Sequence, residues 1–244
     1  MTATRVLVIE HEATCPPAHL GTWLSEAGAE LEVCRPWAGD ALPTSPAALT
    51  SYDGLVVLGG SMGAGDDALH HWLAPVKELI RDAVAAELPT LGICLGHQLM
   101  ALALGGEVAR NPRGQQVGLH AVGWLPEAET DELVSSMGPV RGVQWNNDVV
   151  TTLPDGAVSV AETGDGKLQV VRFARRAWGV QLHPEADEPV LASWAAGDRD
   201  DHLEQGIDQA ALLRDIYAAR DELDQAWQPM AARFVELARP APGR

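Results

Sequence analysis

Four short β-rich runs and three segments of helical spacing share residues 5–106, and their alternation limits the fold more than any other feature. The runs are RVLVIE (5–10), LEVCRP (31–36), GLVVLGG (54–60) and LPTLGICLG (88–96). The first reads as a buried strand and the others as further strands, the second stopped by Pro36 and the third running into glycines. HLGTWLSEAGAE (19–30), ALHHWLAPVKELIRDAVAAE (68–87) and HQLMALALGG (97–106) read as helices, with Pro75 near the start of the second or breaking it. Residues 37–51, rich in Pro and Ser, read as a loop. Strand and helix in alternation form βαβ units and a parallel sheet, because parallel neighbours need a crossover. Right-handed crossovers bring the strand C-termini to one edge, where sites form. The expected fold class is α/β, an open and mostly parallel sheet flanked by helices.

The second half has a different rhythm. Residues 118–125, 140–145, 157–162, 168–174 and 177–183 read as short strands, with turn signals at LPDG (153–156) and TGDGK (163–167). From about residue 188 the pattern returns to helix, and 210–240 reads as one or two amphipathic helices. The last residues, PAPGR, read as a frayed end. The 244 residues fit one large domain or at most two small ones.

Composition excludes several classes of partner. The net charge is −17, and so acidic a surface repels phosphate backbones and anionic lipid, so neither nucleic acid nor membrane is an expected partner. No window approaches the ~18 apolar residues of a membrane span, and the N-terminus lacks the apolar core of a signal peptide. The three cysteines, Cys15, Cys34 and Cys94, are too few and too scattered for a disulfide framework or a metal cluster. A cytoplasmic protein is expected.

Cys94 sits where the fourth strand meets the third helix, with Gly92 and Gly96 two residues to either side. This is the G-x-nucleophile-x-G pattern of a nucleophile elbow, with Cys in place of Ser. The glycines allow a tight turn and close backbone approach. Such a turn exposes the thiol at the sheet edge, aims the Leu95 N–H at the reacting carbonyl and seats the sulfur at a helix N-terminus, whose dipole favours a thiolate. The plain alternative is a buried cysteine acting as a small hydrophobe.

A nucleophilic cysteine needs a base. His183 ends an apolar strand, Pro184 stops that strand, and Glu185 follows at i+2, on the same face of an extended segment. A carboxylate beside an imidazole fixes its tautomer and stabilises the imidazolium. The alternative is an edge histidine with a solvated glutamate. His97 lies on the helix after the elbow, directed away from the thiol, and reads as structural; His70 and His71 read as helix surface. The glycine loop LGGSMGAGDD (58–67) lacks the Lys-Ser/Thr of a P-loop. It fits better as an oxyanion loop, with a second N–H donor from Gly60, Ser61 or Met62, although a plain tight turn is also open.

Gly-x-Cys-x-Gly-x-Gln at a strand end, the earlier LGGSMGA and the later His-Pro-Glu resemble the class I (triad) glutamine amidotransferase domain, over roughly residues 5–190. Within that group the chain is similar to the stand-alone type related to the glutaminase domain of GMP synthase. The resemblance implies a domain over 1–190 and a helical extension over 191–244 packed on it. It implies that Cys94 attacks the side-chain amide of glutamine, His183 takes the thiol proton and passes it to ammonia, and Glu185 orients His183. Leu95 and the 60–62 loop would hold the oxyanion, and Gln98 would touch the substrate. A glutamyl thioester would form, and water would release glutamate. Neither metal nor organic cofactor is implied, since cysteine chemistry needs none.

Three departures bear on substrate and partner. Relatives often have Gly-Gly-Pro where this chain has Gly59-Gly60-Ser61, which implies a looser loop. They commonly have W-H-G-D where this chain has Trp145-Asn146-Asn147-Asp148, a segment that lines the glutamine pocket. Asn147 supplies a polar contact there or occupies a left-handed turn. The residues after 190 are too few for an ATP-pyrophosphatase domain, so any ammonia acceptor is expected on a separate synthetase subunit. The alternatives are a hydrolase of another γ-glutamyl amide or peptide with the same triad, and a non-enzymatic scaffold.

Overall fold

The computed structural model describes residues 3–43 and 45–239. Its first half runs β1 (Thr4–Ile9), α1 (Ala18–Glu26), β2 (Ala29–Cys34), a one-turn α2 (Pro46–Leu49), β3 (Gly54–Val57), α3 (Leu73–Ala85), β4 (Thr90–Ile93) and α4 (Leu95–Ala103). The four strands pair in parallel in the order β2-β1-β3-β4. Every residue of β3 and β4 is buried, which is why these runs carry no polar alternation.

The second half supplies β5 (Glu107–Arg110), β6 (Gln116–Ala121), β7 (Gly123–Trp124), β8 (Arg141–Asn146), β9 (Asp148–Thr152), β10 (Val158–Glu162), β11 (Leu168–Ala174) and β12 (Ala177–Val180). β12 joins the sheet parallel to β4, and β11, β10 and β7 extend it antiparallel. The order is β2-β1-β3-β4-β12-β11-β10-β7, with β5–β9 and β6–β8 as separate antiparallel pairs. Four helices follow: α5 (Glu188–Gly197), α6 (Arg199–Glu204), α7 (Gln209–Ala218) and α8 (Arg220–Ala238).

Alternation along β1 divides the core. Leu7 and Ile9 face α3 and α4, where Leu73, Val76, Ile80, Leu95 and Leu99 are buried. Val6 and Val8 face the cluster that holds Leu20 and Leu24 of α1 and Trp227, Met230 and Phe234 of α8. The C-terminal helices therefore share a core with the first strands. The mostly parallel sheet with helices on both faces is the expected fold class.

The differences are local. The expected strand 118–125 is two strands, because Val122 turns its N–H to Val140 O and β7 pairs with β10 instead. The expected helix 68–87 starts only at Leu73, with Pro75 in its first turn, so His70 and His71 lie in the preceding turn with their rings against Trp72. β5 and β9 fall in segments with no strand reading, since EVAR and DVVTT lack a clear apolar alternation. The PAPGR end lies outside the described residues.

Candidate active site

The strand–turn–helix at β4 and α4 sets Cys94 in an unusual backbone state, φ 48° and ψ −102°. A non-glycine residue at positive φ is strained and persists only where its surroundings hold it. Here the Cys94 N–H donates to Val180 O at 2.8 Å and the Gly96 N–H to Leu58 O at 3.1 Å, which pins the turn to β12 and β3. The flanking glycines are required by contact. A Cβ on Gly96 would lie 2.0 Å from Val57 O, and one on Gly92 would lie 2.6 Å from the Gly96 carbonyl carbon.

β12 delivers the other two groups. The His183 N–H donates to Val143 O at 2.8 Å, and the Glu185 carbonyl accepts the His19 N–H at 3.0 Å. The His183 Nδ1–H donates to Glu185 Oε1 at 2.6 Å, and both side chains are buried. Burial opposes the charged ring, but the Cys94 sulfur and the Glu185 carboxylate outweigh it and hold the His183 pKa well above its ordinary value. Nε2 makes no hydrogen bond of normal geometry, although Cys94 is among the neighbours that raise the ring's pKa. Gly59 borders all three residues: a Cβ there would be 3.4 Å from His183 Cε1, 3.7 Å from Cys94 Cβ and 3.9 Å from Glu185 Oε1. The Trp194 ring of α5 meets the His183 ring edge-on, centroids 4.6 Å apart.

The N–H groups of Leu95 and Gly60 are among those near Cys94 that have no protein acceptor among the described residues. Gly60 is packed against Leu95, since a Cβ on it would lie 2.8 Å from Leu95 Cδ2. Ser61 differs from expectation. Its N–H and hydroxyl both donate to Glu12, each at 2.8 Å, so it offers no free N–H and the loop is tied rather than loose.

Gln98 and Gln181 form a relay to the thiol. Gln98 Nε2 donates to Asp148 O at 3.0 Å and to Gln181 Oε1 at 3.1 Å, and Gln181 Nε2 donates to Cys94 Sγ at 3.4 Å. Trp145 Nε1 donates to Asp198 Oδ2 at 2.7 Å, and Asn146 Nδ2 to Asp148 O at 3.1 Å. Asn147 is not at positive φ, which removes the left-handed-turn reading; the residue lines the cleft. Two other buried histidines, His97 and His11, make poor bases. His97 packs on Phe173, and burial pushes its pKa down to about 3; His11 is lowered to about 3 by the same cause.

These groups open into one cleft of about 480 Å³, lined by Cys94, His183, Gly60, Met62, Gln98 and Asn146 among others. Residues with no sequence signal of their own join it: Glu12 and Cys15 from the loop after β1, Trp194 from α5, and Asp198 between α5 and α6. Among the described residues no group of three or more His, Cys, Asp or Glu is placed to hold a metal ion, and no helix is long and apolar enough to cross a membrane.

Comparison with known proteins bears out the resemblance to the class I glutamine amidotransferase family. A glutamine amidotransferase-like protein of Salmonella typhimurium, YfeJ, is 29% identical over 185 residues, covering 74% of this chain and 75% of that one. γ-Glutamyl peptidase 5 of Arabidopsis thaliana is 29% identical over 147 residues, 59% of this chain and 57% of that protein. One of the subunits of the glutamine-hydrolysing GMP synthase of Archaeoglobus fulgidus is 35% identical over 144 residues, 56% and 68% of the two chains. The crystal structure of a glutamine amidotransferase of Thermotoga maritima superposes with a TM-score of 0.84 at 26% identity, over 97% of this chain and 100% of that one. The model of the family described as glutamine amidotransferase class-I matches residues 20–190, a span that holds Cys94, His183 and Glu185. The chain belongs to the class-I glutamine amidotransferase family.

Proposed function

We propose that the protein hydrolyses the side-chain amide of glutamine through a thioester on Cys94, giving glutamate and ammonia. The observation that carries this reading is the buried 2.6 Å bond from His183 to Glu185, set beside a cysteine held at positive φ. Glu185 fixes the ring with its proton on Nδ1, so Nε2 faces the sulfur and holds the thiol proton. The Cys94 sulfur adds to the amide carbon, and the oxyanion takes the N–H groups of Leu95 and Gly60. His183 then gives its proton to the nitrogen, the C–N bond breaks, and water attacks the thioester.

Met62, Gln98, Trp145, Asn146 and Asn147 form the wall against which the substrate rests, Trp145 through its hold on Asp198. The relation to one chain of a GMP synthase supports an ammonia acceptor on a separate synthetase subunit. We read 1–190 as the family domain and the described helices beyond it as an extension on the same core. Three free thiols fit a reducing, cytoplasmic setting.

One observation favours a second reading, hydrolysis of a γ-glutamyl peptide. Trp194 of α5 and Asp198 just after it wall a cleft of about 480 Å³, room for more than an amide leaving group, and a γ-glutamyl peptidase is among the relatives. Glutamate release from glutamine and from γ-glutamyl dipeptides, by wild type and by Cys94→Ala, tests both. The wild type is expected to release glutamate and the variant none. Release by the variant overturns the assignment, and faster turnover of dipeptides selects the second reading.

A further inference from the structure

Of the carboxylates that line the cleft outside the triad, one holds Ser61. Glu12 lies in the loop after β1, 49 residues from Ser61, and receives both of that residue's donors: the backbone N–H on Oε1 and the hydroxyl on Oε2, each at 2.8 Å. The Cys15 thiol donates to Glu12 Oε1 at 3.2 Å, and burial together with that carboxylate pushes the thiol pKa up, so it remains a donor. The loop that carries Glu12 is anchored in turn. Thr14 O accepts the Trp194 indole N–H at 2.8 Å, and the Cys15 N–H donates to Glu12 O at 3.2 Å.

Ser61 needs such a hold. It stands in a run with Gly59, Gly60 and Gly63, where the backbone has the most freedom to lose. Gly60 has no side chain to anchor its backbone, and the space one would use is filled by Met62 Sδ at 2.6 Å, Leu95 Cδ2 at 2.8 Å and His11 Cβ at 3.1 Å from the Cβ position. A carboxylate that takes two donors from the next residue fixes the Gly60–Ser61 peptide plane, and so restrains the rotation about the Gly60 Cα that would turn the Gly60 N–H of the preceding plane.

We propose that Glu12 is a positioning residue for the oxyanion donor: by holding Ser61 it aims the Gly60 N–H at the oxygen that becomes negative when Cys94 adds to the substrate. This rests on the thioester reading above. In that step the S–C bond forms and the C=O π pair moves to oxygen. On collapse the pair returns, the C–N bond breaks, and the His183 proton goes to nitrogen. Only the oxyanion state requires an aimed donor, so loosening Gly60 lowers kcat more than it raises KM.

The test uses the full chain with Glu12→Ala, Glu12→Gln and the wild type. Removing one oxyanion donor outright costs about 10²–10³ in kcat, and a loosened one is expected to cost about tenfold or more, with KM within about threefold. Glu12→Gln keeps an acceptor for the Ser61 N–H and is expected to recover part of the loss. Glutamate γ-semialdehyde adds to the thiol as a thiohemiacetal, the sulfur bonding to carbon and the thiol proton passing to oxygen. Its affinity should fall with kcat in Glu12→Ala. Alkylation of Cys94 by iodoacetamide, which displaces iodide and needs no oxyanion donor, should stay within about threefold of wild type. An active wild type whose Glu12→Ala variant keeps its kcat and aldehyde affinity overturns the proposal alone. So does a parallel loss of alkylation, which would mean that Cys94 itself has moved. A wild type that neither turns over substrate nor is labelled at Cys94 overturns the thioester reading and this proposal with it.

Discussion

Replacing Gly96 by Ala tests whether close packing of the elbow sets both stability and chemistry. Helix propensity alone favours the change, since Ala exceeds Gly by about 1 kcal/mol inside a helix. Contact opposes it. The new Cβ would lie 2.0 Å from Val57 O, 2.7 Å from Val57 C and 3.1 Å from Val57 Cβ. Ordinary contact begins at 3.4 Å, so β3 and α4 would have to part by about 1.4 Å. Both are held by the core and by the Gly96 N–H bond to Leu58 O, and overpacking of this kind costs about 1–3 kcal/mol or more. The clash wins, and at about 2–4 °C per kcal/mol for a chain of this size Tm should fall by several degrees. The displaced turn carries Cys94, and a misplacement of about 1 Å lowers kcat by about 10²-fold. Thermal unfolding and glutamate release measure the two effects. Gly65→Ala is the control, because no atom lies within 4 Å of its Cβ position. A Gly96→Ala protein with wild-type Tm and kcat would refute the reasoning.

Glu185→Gln removes a carboxylate that favours the His183 imidazolium, so the raised pKa of His183 should fall. The protonated ring serves the leaving group below that pKa and is lost as pH rises through it. The alkaline limb of kcat/KM should therefore move to lower pH and kcat drop by about 10³-fold or more; a pH–rate profile that keeps its alkaline limb argues against the pairing. Trp227→Ala empties a fully buried site in α8 and removes the indole bond to Arg141 O at 2.9 Å. It should cost about 3–5 kcal/mol in denaturant unfolding, and a loss under about 1 kcal/mol would mean that α8 is not part of the core.

The parts of the site that local sequence betrays are those that a single strand end presents. Cys94 is marked by its two glycines, and His183 and Glu185 by their i, i+2 spacing after an apolar run. Glu12, Trp194 and Asp198 reach the cleft through contacts spanning 49 residues or more, and nothing in their neighbours' pattern foretells it. Gln181 had a faint signal, since it precedes His183 by two in the same extended run. Ser61 illustrates the limit well. Taken alone it implies a looser loop, but a carboxylate from β1's end supplies the restraint. β3 and β4 were legible because burial on both faces leaves continuous apolar runs. β5 and β9, short and without clear alternation, were not.

The most direct test of the account is to mix the wild type with glutamine and with a γ-glutamyl dipeptide, quench in acid, and map any covalent γ-glutamyl adduct by mass spectrometry. The account predicts a transient adduct on the peptide holding Cys94, absent from Cys94→Ala, with a longer lifetime when deacylation is slowed. Substrate turnover with no adduct, or an adduct on another residue, would contradict it.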